Sequence, residues 1–421
     1  MCVKSLRSLL STIYHKTWCA FIYNYKLLRY RGILSSKVKR MRQKDTITVL
    51  FVVSEAASWK TESLYVSMMR HPRFKPVLGI STSRVPAGSK QPLIGYLKEK
   101  KYQYIDLDTE VGSINKICPD IIFYYKPYSL NYTEGHFFKN NLNYIFCGVD
   151  YCFETEKSAA HIDKEYFDYC WQFYVENDEM LKSRFDILGY RANNTIVTGV
   201  PMQDILLSSK ELFEDQWKDK TGKKRIIYAP HHSFKGTNGD GIEYATFLDF
   251  GEPMLYFAKK YCDEITIAFK PHPNLYMKLL KIWGREKTDD YYNEWKKMEN
   301  TQIETGEYVG LFKYSDAIIH DCASFIVEYL YMNKPGLYLV AESNNMNDMF
   351  DFVKDGYLCY EHGRNIGEIE CFINSVINGE DNKMQQRGTY IQERLLPPNG
   401  KTASENIINA ILGNNNAIDY Q

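Results

Sequence analysis

The chain has 421 residues, 44% apolar and 15% aromatic, which excludes a disordered protein and suits two folded domains of roughly 150–200 residues each. Its net charge is zero, yet residues 1–44 contain eleven Lys and Arg and no Asp or Glu, which leaves −11 on residues 45–421. A basic arm on an acidic body implies an anionic partner for the arm.

Within the arm, Leu6, Leu9, Leu10, Ile13, Tyr14, Phe21, Tyr25 and Leu28 fall on one side of a helix over the first thirty residues. Lys4, Ser8, Ser11, His15, Lys26 and Arg29 fall on the other. Trp18 flanks the apolar stripe. The pattern predicts an amphipathic helix on an anionic membrane surface, each nearby Lys or Arg adding about 1 kcal/mol. Docking on the protein's own body and a mitochondrial presequence are the competing readings. Nucleic acid is not an expected partner, because a nucleic-acid tail has no need of apolar periodicity. No stretch reaches the ~20 apolar residues of a membrane span.

After the arm, 46–53 is a continuous apolar run, the mark of a strand buried on both faces. A helix pattern follows through Leu64, Val66, Met68 and Met69 and stops at Pro72. Further strands are predicted at 75–80, 102–105, 120–125 and 143–147, then a helical, acidic stretch over 162–190 and a short strand and turn over 195–201. The polar stretch 203–224 contains the domain boundary. A second alternation has strands near 225–229, 264–270, 316–320 and 336–340, and 398–411 reads as a capped helix. Strand–helix alternation implies parallel, doubly wound sheets. The expected fold is α/β, two Rossmann-like domains facing a central cleft (the GT-B type), with an N-terminal amphipathic helix. The expected division is a membrane-surface arm at 1–44, an acceptor domain at 45–205 and a nucleotide-donor domain at 206–421. The ten cysteines form no CxxC pair. Cys118, Cys147 and Cys262 lie in apolar segments and read as reduced core residues of a cytosolic protein.

Three strand ends in the second half carry chemistry, and ligands of such sheets bind at the carboxyl ends of strands. Lys270-Pro271-His272-Pro273 has two prolines that hold the His272 backbone rigidly, so its imidazole can stabilise a phosphoryl oxygen or transfer a proton. Asp321 and Ser324 precede a helix pattern whose amino-terminus suits phosphate, with Asp321 as an N-cap or an orienting group. Glu328, one turn on, is placed to accept from ribose hydroxyls; a solvated glutamate is the plain alternative. His231, His232 and Ser233 end the strand at 225–229, before a Gly-rich loop at 235–241 that either closes over a ligand or is a surface turn. The histidines have no carboxylate partner at ligand spacing, so no metal is expected. The absence of a Walker loop, G-x-G-x-x-G and G-x-S-x-G argues against ATPase, dehydrogenase and serine-hydrolase chemistry.

Taken in order, Tyr228-Ala229-Pro230, 270–273, Ser315-Asp316 with Asp321 and Ser324, Glu328 and Lys334-Pro335 resemble the CDP-glycerol glycerophosphotransferase family, which builds teichoic acids and related capsular polymers. Thr198-Gly199-Val200-Pro201 with Asp204, and Gly400-Lys401, are similar as well. The likeness covers roughly 195–410. It implies a GT-B fold, a CDP-polyol donor, a polymer or lipid-linked acceptor, and a donor pyrophosphate held by His272 and the Ser324 helix end. Here Cys322-Ala323 replaces the family's Tyr-Ser, and His231-His232 stands where Thr-Trp is common. The Trp-His-Gly turn whose His is a candidate base in many members has no counterpart at Phe146-Cys147-Gly148-Val149-Asp150. Asp150, His161 and His136 are the remaining candidates.

The expected reaction moves a polyol phosphate from the CDP-linked donor to a hydroxyl of a cell-surface polymer precursor. The expected catalytic group is His272, His231 and Asp321. The donor-binding group is Lys270, Ser324, Glu328, His232 and Ser233, with no cofactor beyond the donor itself. The expected location is cytoplasmic, peripheral at the inner face of the membrane. The alternatives are a GT-B glycosyltransferase using a nucleotide sugar in capsule or lipopolysaccharide assembly, and a catalytically silent scaffold.

Overall fold

Runs of apolar and aromatic residues form thirteen strands among the described residues. The computed structural model describes residues 2–56, 59–82, 90–109, 113–126, 131–150, 153–157, 164–235, 243–341 and 346–414. The first sheet comprises β1 (Ile47–Val53), β2 (Phe74–Ile80), β3 (Tyr104–Asp106), β4 (Ile121–Tyr124), β5 (Ile145–Val149), β6 (Gln172–Val175) and β7 (Thr195–Val197), in the order β3-β2-β1-β4-β5-β6-β7. The second comprises β8 (Lys224–Ala229), β9 (Ile265–Phe269), β10 (Thr301–Ile303), β11 (Ala317–His320), β12 (Gly336–Leu339) and β13 (Glu361–Gly363), in the order β10-β9-β8-β11-β12-β13. Every pairing is parallel, for example Val49 with Ile121 and Ile226 with Ala317. Each sheet therefore reverses strand order once, between β1 and β4 and between β8 and β11, where doubly wound sheets place their ligands.

The expected strands are present within a residue or two. The stretch 162–190 is a correction: Gln172–Val175 interrupts it as β6, because Phe173, Tyr174 and Val175 are buried β-formers between the Lys164–Tyr169 and Asp178–Leu188 helices. β10 and β13, three residues each, are too short to show a period.

The chain divides into two compact units. Unit 1 is Met1–Tyr151, Ala160–Pro201 and Lys401–Gln421; unit 2 is Cys152–Ala159 and Met202–Gly400. The arm is thus part of unit 1, and residues after 400 group with unit 1 rather than with 202–400. The reason lies in the Ala403–Leu412 helix. Thr402 and Glu405 form a capping box at its start, and its buried Ile407 and Ile411 pack in unit 1. At its other end Arg42 donates to the carbonyls of Ile411 (2.9 Å) and Ala410 (3.2 Å), satisfying groups that helix ends leave unpaired.

The arm forms one helix, Cys2–Arg42. Side chains of residues 1–17, 19 and 20 lie outside the described set, so the first half of the expected stripe is not placed. Farther along, the helix is apolar on two faces. Leu27, Tyr30, Leu34 and Met41 are buried in unit 1, and the Tyr30 hydroxyl donates to Tyr169 O at 2.9 Å. On the other side Trp18, Phe21, Tyr25 and Leu28 are 53–71% exposed, at steps of three and four that keep them in one stripe. Docking and an exposed apolar face coexist in this helix. Among the cysteines Cys147 is buried, but Cys118 and Cys262 are exposed, since both sit in turns just after helices.

Candidate active site at the carboxyl ends of the second sheet

In unit 2, β8 runs into Pro230, His231 and His232, its neighbour β9 into Lys270, Pro271 and His272, and its other neighbour β11 into Asp321. The three imidazoles meet. His232 and His272 stack with ring centroids 4.0 Å apart, and His231 lies 4.8 Å from His272 and 4.5 Å from His232. Backbone bonds hold the turns together: His272 N donates to Pro230 O at 3.0 Å, and Lys270 N to Tyr228 O at 2.8 Å.

Asp321 is fully buried and joins three segments. Its Oδ1 accepts from His231 N at 2.5 Å, and its Oδ2 accepts from both N and Oγ1 of Thr246, at 2.7 and 2.9 Å. Burial raises its pKa to about 6, against the pull of those hydrogen bonds. It caps no helix, because Cys322 is the N-cap of the Ala323–Leu330 helix. Both of its oxygens are engaged inside the protein, one of them by the His231 backbone.

Hydrogen bonds assign the ring protons. His272 Nδ1 accepts from Asn274 N at 3.1 Å, which leaves the proton of the neutral ring on Nε2. Tyr244 N donates to Ser233 Oγ at 3.0 Å, and that hydroxyl lies 2.7 Å from His231 Nδ1, free to donate to it. His231 thereby also carries its proton on Nε2. Ser233 is fully buried, with its hydroxyl against His231. Burial, then the neighbouring histidine charges, lowers His231 to about 3. Burial, then His232 and Lys270, lowers His272 to about 4. Both rings are neutral at pH 7 and present N–H dipoles.

Nitrogens of His231, His232 and His272 lie within 4.8 Å of one another, close enough for a shared metal ion. A metal-bound imidazole normally donates its second N–H outward to an acceptor. Here Nδ1 of His272 receives an N–H, the polarity that suits an anion at Nε2.

Lys270 Nζ sits 5.1 Å above the Tyr308 ring and donates to Gly306 O at 3.2 Å. Glu328 is 3% exposed, not solvated, and accepts from the Tyr308 hydroxyl. Ser324 is the second residue of its helix, with Oγ 3.2 Å from Cys322 Sγ, and the N-cap makes no side-chain bond to the first turn. His320 is apart from the cluster, fully buried among Tyr338, Tyr360 and Phe325. Of the Gly-rich loop, residues 236–241 lie outside the described residues. Thr246 and Tyr308 were missed from sequence. Thr246 was visible as a cap-type residue before the Phe247–Lys260 helix; Tyr308 carries no local signal.

In unit 1, Asp150 is 8% exposed and accepts from Arg184 at 3.0 Å, whose guanidinium lies over the touching Phe167 and Phe173 rings. That carboxylate is a structural ion pair. His161 lies outside the described residues, and His136 is half-buried beside Ser81 and Asp108.

A family model described as CDP-Glycerol:Poly(glycerophosphate) glycerophosphotransferase matches residues 150–413. The teichoic acid ribitol-phosphate polymerase TarK of Staphylococcus aureus (strain NCTC 8325 / PS 47) is 24% identical over 238 residues, covering 55% of this chain and 43% of TarK. TarL of the same strain, also a teichoic acid ribitol-phosphate polymerase, is 23% identical over 247 residues, covering 57% and 41%. The chain spans less than half the length of these curated relatives. The structure of the wall teichoic acid polymerase TagF is similar with a TM-score of 0.59 at 13% identity, over 98% of both chains. At that identity the likeness shows the fold.

Proposed function

The chain belongs to the CDP-glycerol:poly(glycerophosphate) glycerophosphotransferase family, and on that premise we propose that it transfers a polyol phosphate from a CDP-linked donor to a hydroxyl of a surface-polymer precursor. One observation carries the reading: two neutral imidazoles, His231 and His272, have their Nδ1 atoms engaged, which leaves Nε2–H donors at the strand-order reversal of unit 2.

The acceptor oxygen attacks the β-phosphorus of the donor, and CMP leaves with the bridging oxygen. Such a step asks little covalent work of the protein, so positioning and charge stabilisation dominate. Nε2–H of His272 and of His231 donates to phosphoryl oxygens as charge builds on them. Because both rings start neutral and are already held by the backbone, no reorganisation is needed at the transition state. The Ser324 hydroxyl and the first turn of its helix add donors, and Lys270 adds charge. Glu328, held by Tyr308, accepts from ribose hydroxyls. Asp321 keeps His231 in place.

At the arm, the exposed Trp18, Phe21, Tyr25 and Leu28 stripe, with exposed Lys26, Arg29 and Arg31 beside it, supports peripheral attachment to the anionic cytoplasmic face of the membrane. Among the described residues no helix is long and apolar enough to cross a membrane. The deciding experiment is a donor screen. Release of CMP from CDP-glycerol or CDP-ribitol in the presence of a polyol-phosphate acceptor supports the reading. Release of a nucleoside diphosphate from a nucleotide sugar replaces it with a glycosyltransferase.

A further inference from the structure

One short segment of unit 2 comes from far outside the rest of that unit in sequence. Residues 153–157 lie between β5 and the Lys164–Tyr169 helix, yet Cys152–Ala159 groups with Met202–Gly400. Backbone bonds fasten the segment there. Phe350 N donates to Thr155 O at 3.1 Å and Lys157 N to Asp348 O at 2.8 Å, with Glu156 paired antiparallel to Met349. Phe153 is buried, and its ring stacks on Tyr331 with centroids 5.8 Å apart. The partly buried Glu156 carboxylate accepts from the Tyr244 hydroxyl. Burial, then that bond, raises the Tyr244 pKa, so the hydroxyl keeps its proton and donates. Tyr244 in turn meets His231 by two routes. Its ring lies against the His231 ring at 6.0 Å and 66°, and its N donates at 3.0 Å to Ser233 Oγ, which lies 2.7 Å from His231 Nδ1.

Resting on the donor-site reading, we propose that Glu156 and Tyr244 are positioning residues that hold His231 in its Nε2–H form. The Ser233 hydroxyl is where the choice is made, because it has one proton to give. While Tyr244 N donates to Oγ, that proton is left for His231 Nδ1, and the ring proton stays on Nε2. Ser233 N adds a longer bond to the same Nδ1, at 3.4 Å. Once Tyr244 shifts away, Oγ is free to accept from the ring instead, and the ring proton moves to Nδ1. Nε2 then carries a lone pair and cannot donate to a phosphoryl oxygen. Tyr244 is held at both ends. On the chain side, Ala245 N donates to Ser233 O at 3.2 Å, and Thr246 is bound to Asp321 through its N and Oγ1. At the far end of the ring, the hydroxyl is tied to Glu156. Neither Glu156 nor Tyr244 is asked to touch the donor; both act through Ser233 on the orientation of one dipole.

Nitrogen-15 spectra of the histidine side chains in the full-length chain read the tautomer directly, the His231 signals being those lost in His231→Gln. Tyr244→Phe removes the hydroxyl and keeps the ring, Glu156→Ala removes the acceptor, and Glu156→Gln keeps one. The parent is expected to show His231 protonated on Nε2. In Tyr244→Phe and Glu156→Ala the two His231 nitrogen shifts are expected to move toward each other. In the same variants kcat for CMP release from CDP-glycerol or CDP-ribitol is expected to fall about tenfold, with KM within about twofold. Glu156→Gln is expected to stay within about threefold of the parent kcat. The Tyr244→Phe/Glu156→Ala double variant is expected to be no slower than either single, because both break one bond. Unchanged His231 shifts in Tyr244→Phe and Glu156→Ala overturn the proposal, whatever happens to kcat. So does a parent His231 protonated on Nδ1, or losses that multiply in the double variant. Should Glu156→Ala fail to fold, as its Tm would show, Tyr244→Phe alone decides. Changed shifts with a parent-like kcat uphold the placement and remove His231 from the transfer step. If the parent releases no CMP, the donor reading fails, and the spectra still decide whether Glu156 and Tyr244 set the His231 proton.

Discussion

The two sheets share a strand order, yet their carboxyl ends differ in kind. In unit 2 the ends of β8 and β9 hold uncharged, partly dehydrated imidazoles whose protons sit on Nε2. In unit 1 the corresponding reversal, between β1 and β4, is closed by opposite charges and hydroxyls. Glu55 pairs with Lys126, Ser54 Oγ lies 2.8 Å from Tyr125 OH, and Asp150 pairs with Arg184 at the end of β5. Fixed neutral N–H dipoles suit a multiply charged phosphate; balanced pairs leave little net field. The backbone topology sets where a ligand goes, and the side chains set the charge it carries.

The largest expected effect tests the structural half of that contrast. Arg184→Met strands the buried Asp150 carboxylate and should cost roughly 3–5 kcal/mol in urea unfolding. A loss under about 1 kcal/mol would mean that Asp150 is not a buried structural ion pair and is open to chemistry again. Next, His272→Ala should lower kcat about 100- to 1000-fold with little change in Tm; near-normal turnover with intact folding would remove His272 from the site.

Acid sharpens the same comparison. His231, His272 and His320 have folded pKa values below the ordinary 6.5, at about 3, 4 and 3. Their neutral forms stabilise the fold above pH 6.5, and that stability is lost as pH falls toward 3–4. Asp321 runs the other way: raised to about 6, it adds stability as pH falls from 6 toward 3.8. Three groups oppose one, so denaturation midpoints measured from pH 7 to 4 should fall, and His272→Asn should flatten the slope. A midpoint that rises on acidification would show the histidines to be charged in the folded protein.

The smallest expected effect concerns the arm. Trp18→Ser with Leu28→Ser should weaken binding to anionic vesicles about tenfold while leaving Tm unchanged, because both side chains are exposed. Equal co-sedimentation by variant and parent would assign the stripe to another partner.

Much of this was legible in the residues. Apolar runs such as 46–53 marked buried parallel strands, and alternation marked the doubly wound class. The double proline around His272 marked a rigid turn. Other features left no local trace. β6 hid inside an acidic, helix-rich stretch, since four residues show no period. The Ala403–Leu412 helix was legible as a helix, but its attachment to unit 1 depends on Arg42, 369 positions away. Asp321 read equally well as cap or catalyst, and only the fold brings it to Thr246 and His231. The sequence by itself determined which residue types end each strand, because strand and helix periods are local properties of the chain. The tertiary structure alone decided which nitrogen of each histidine carries the proton and which carboxylates are spent inside the fold. Both depend on hydrogen-bond partners and burial, including neighbours such as Thr246 that lie far along the chain from Asp321.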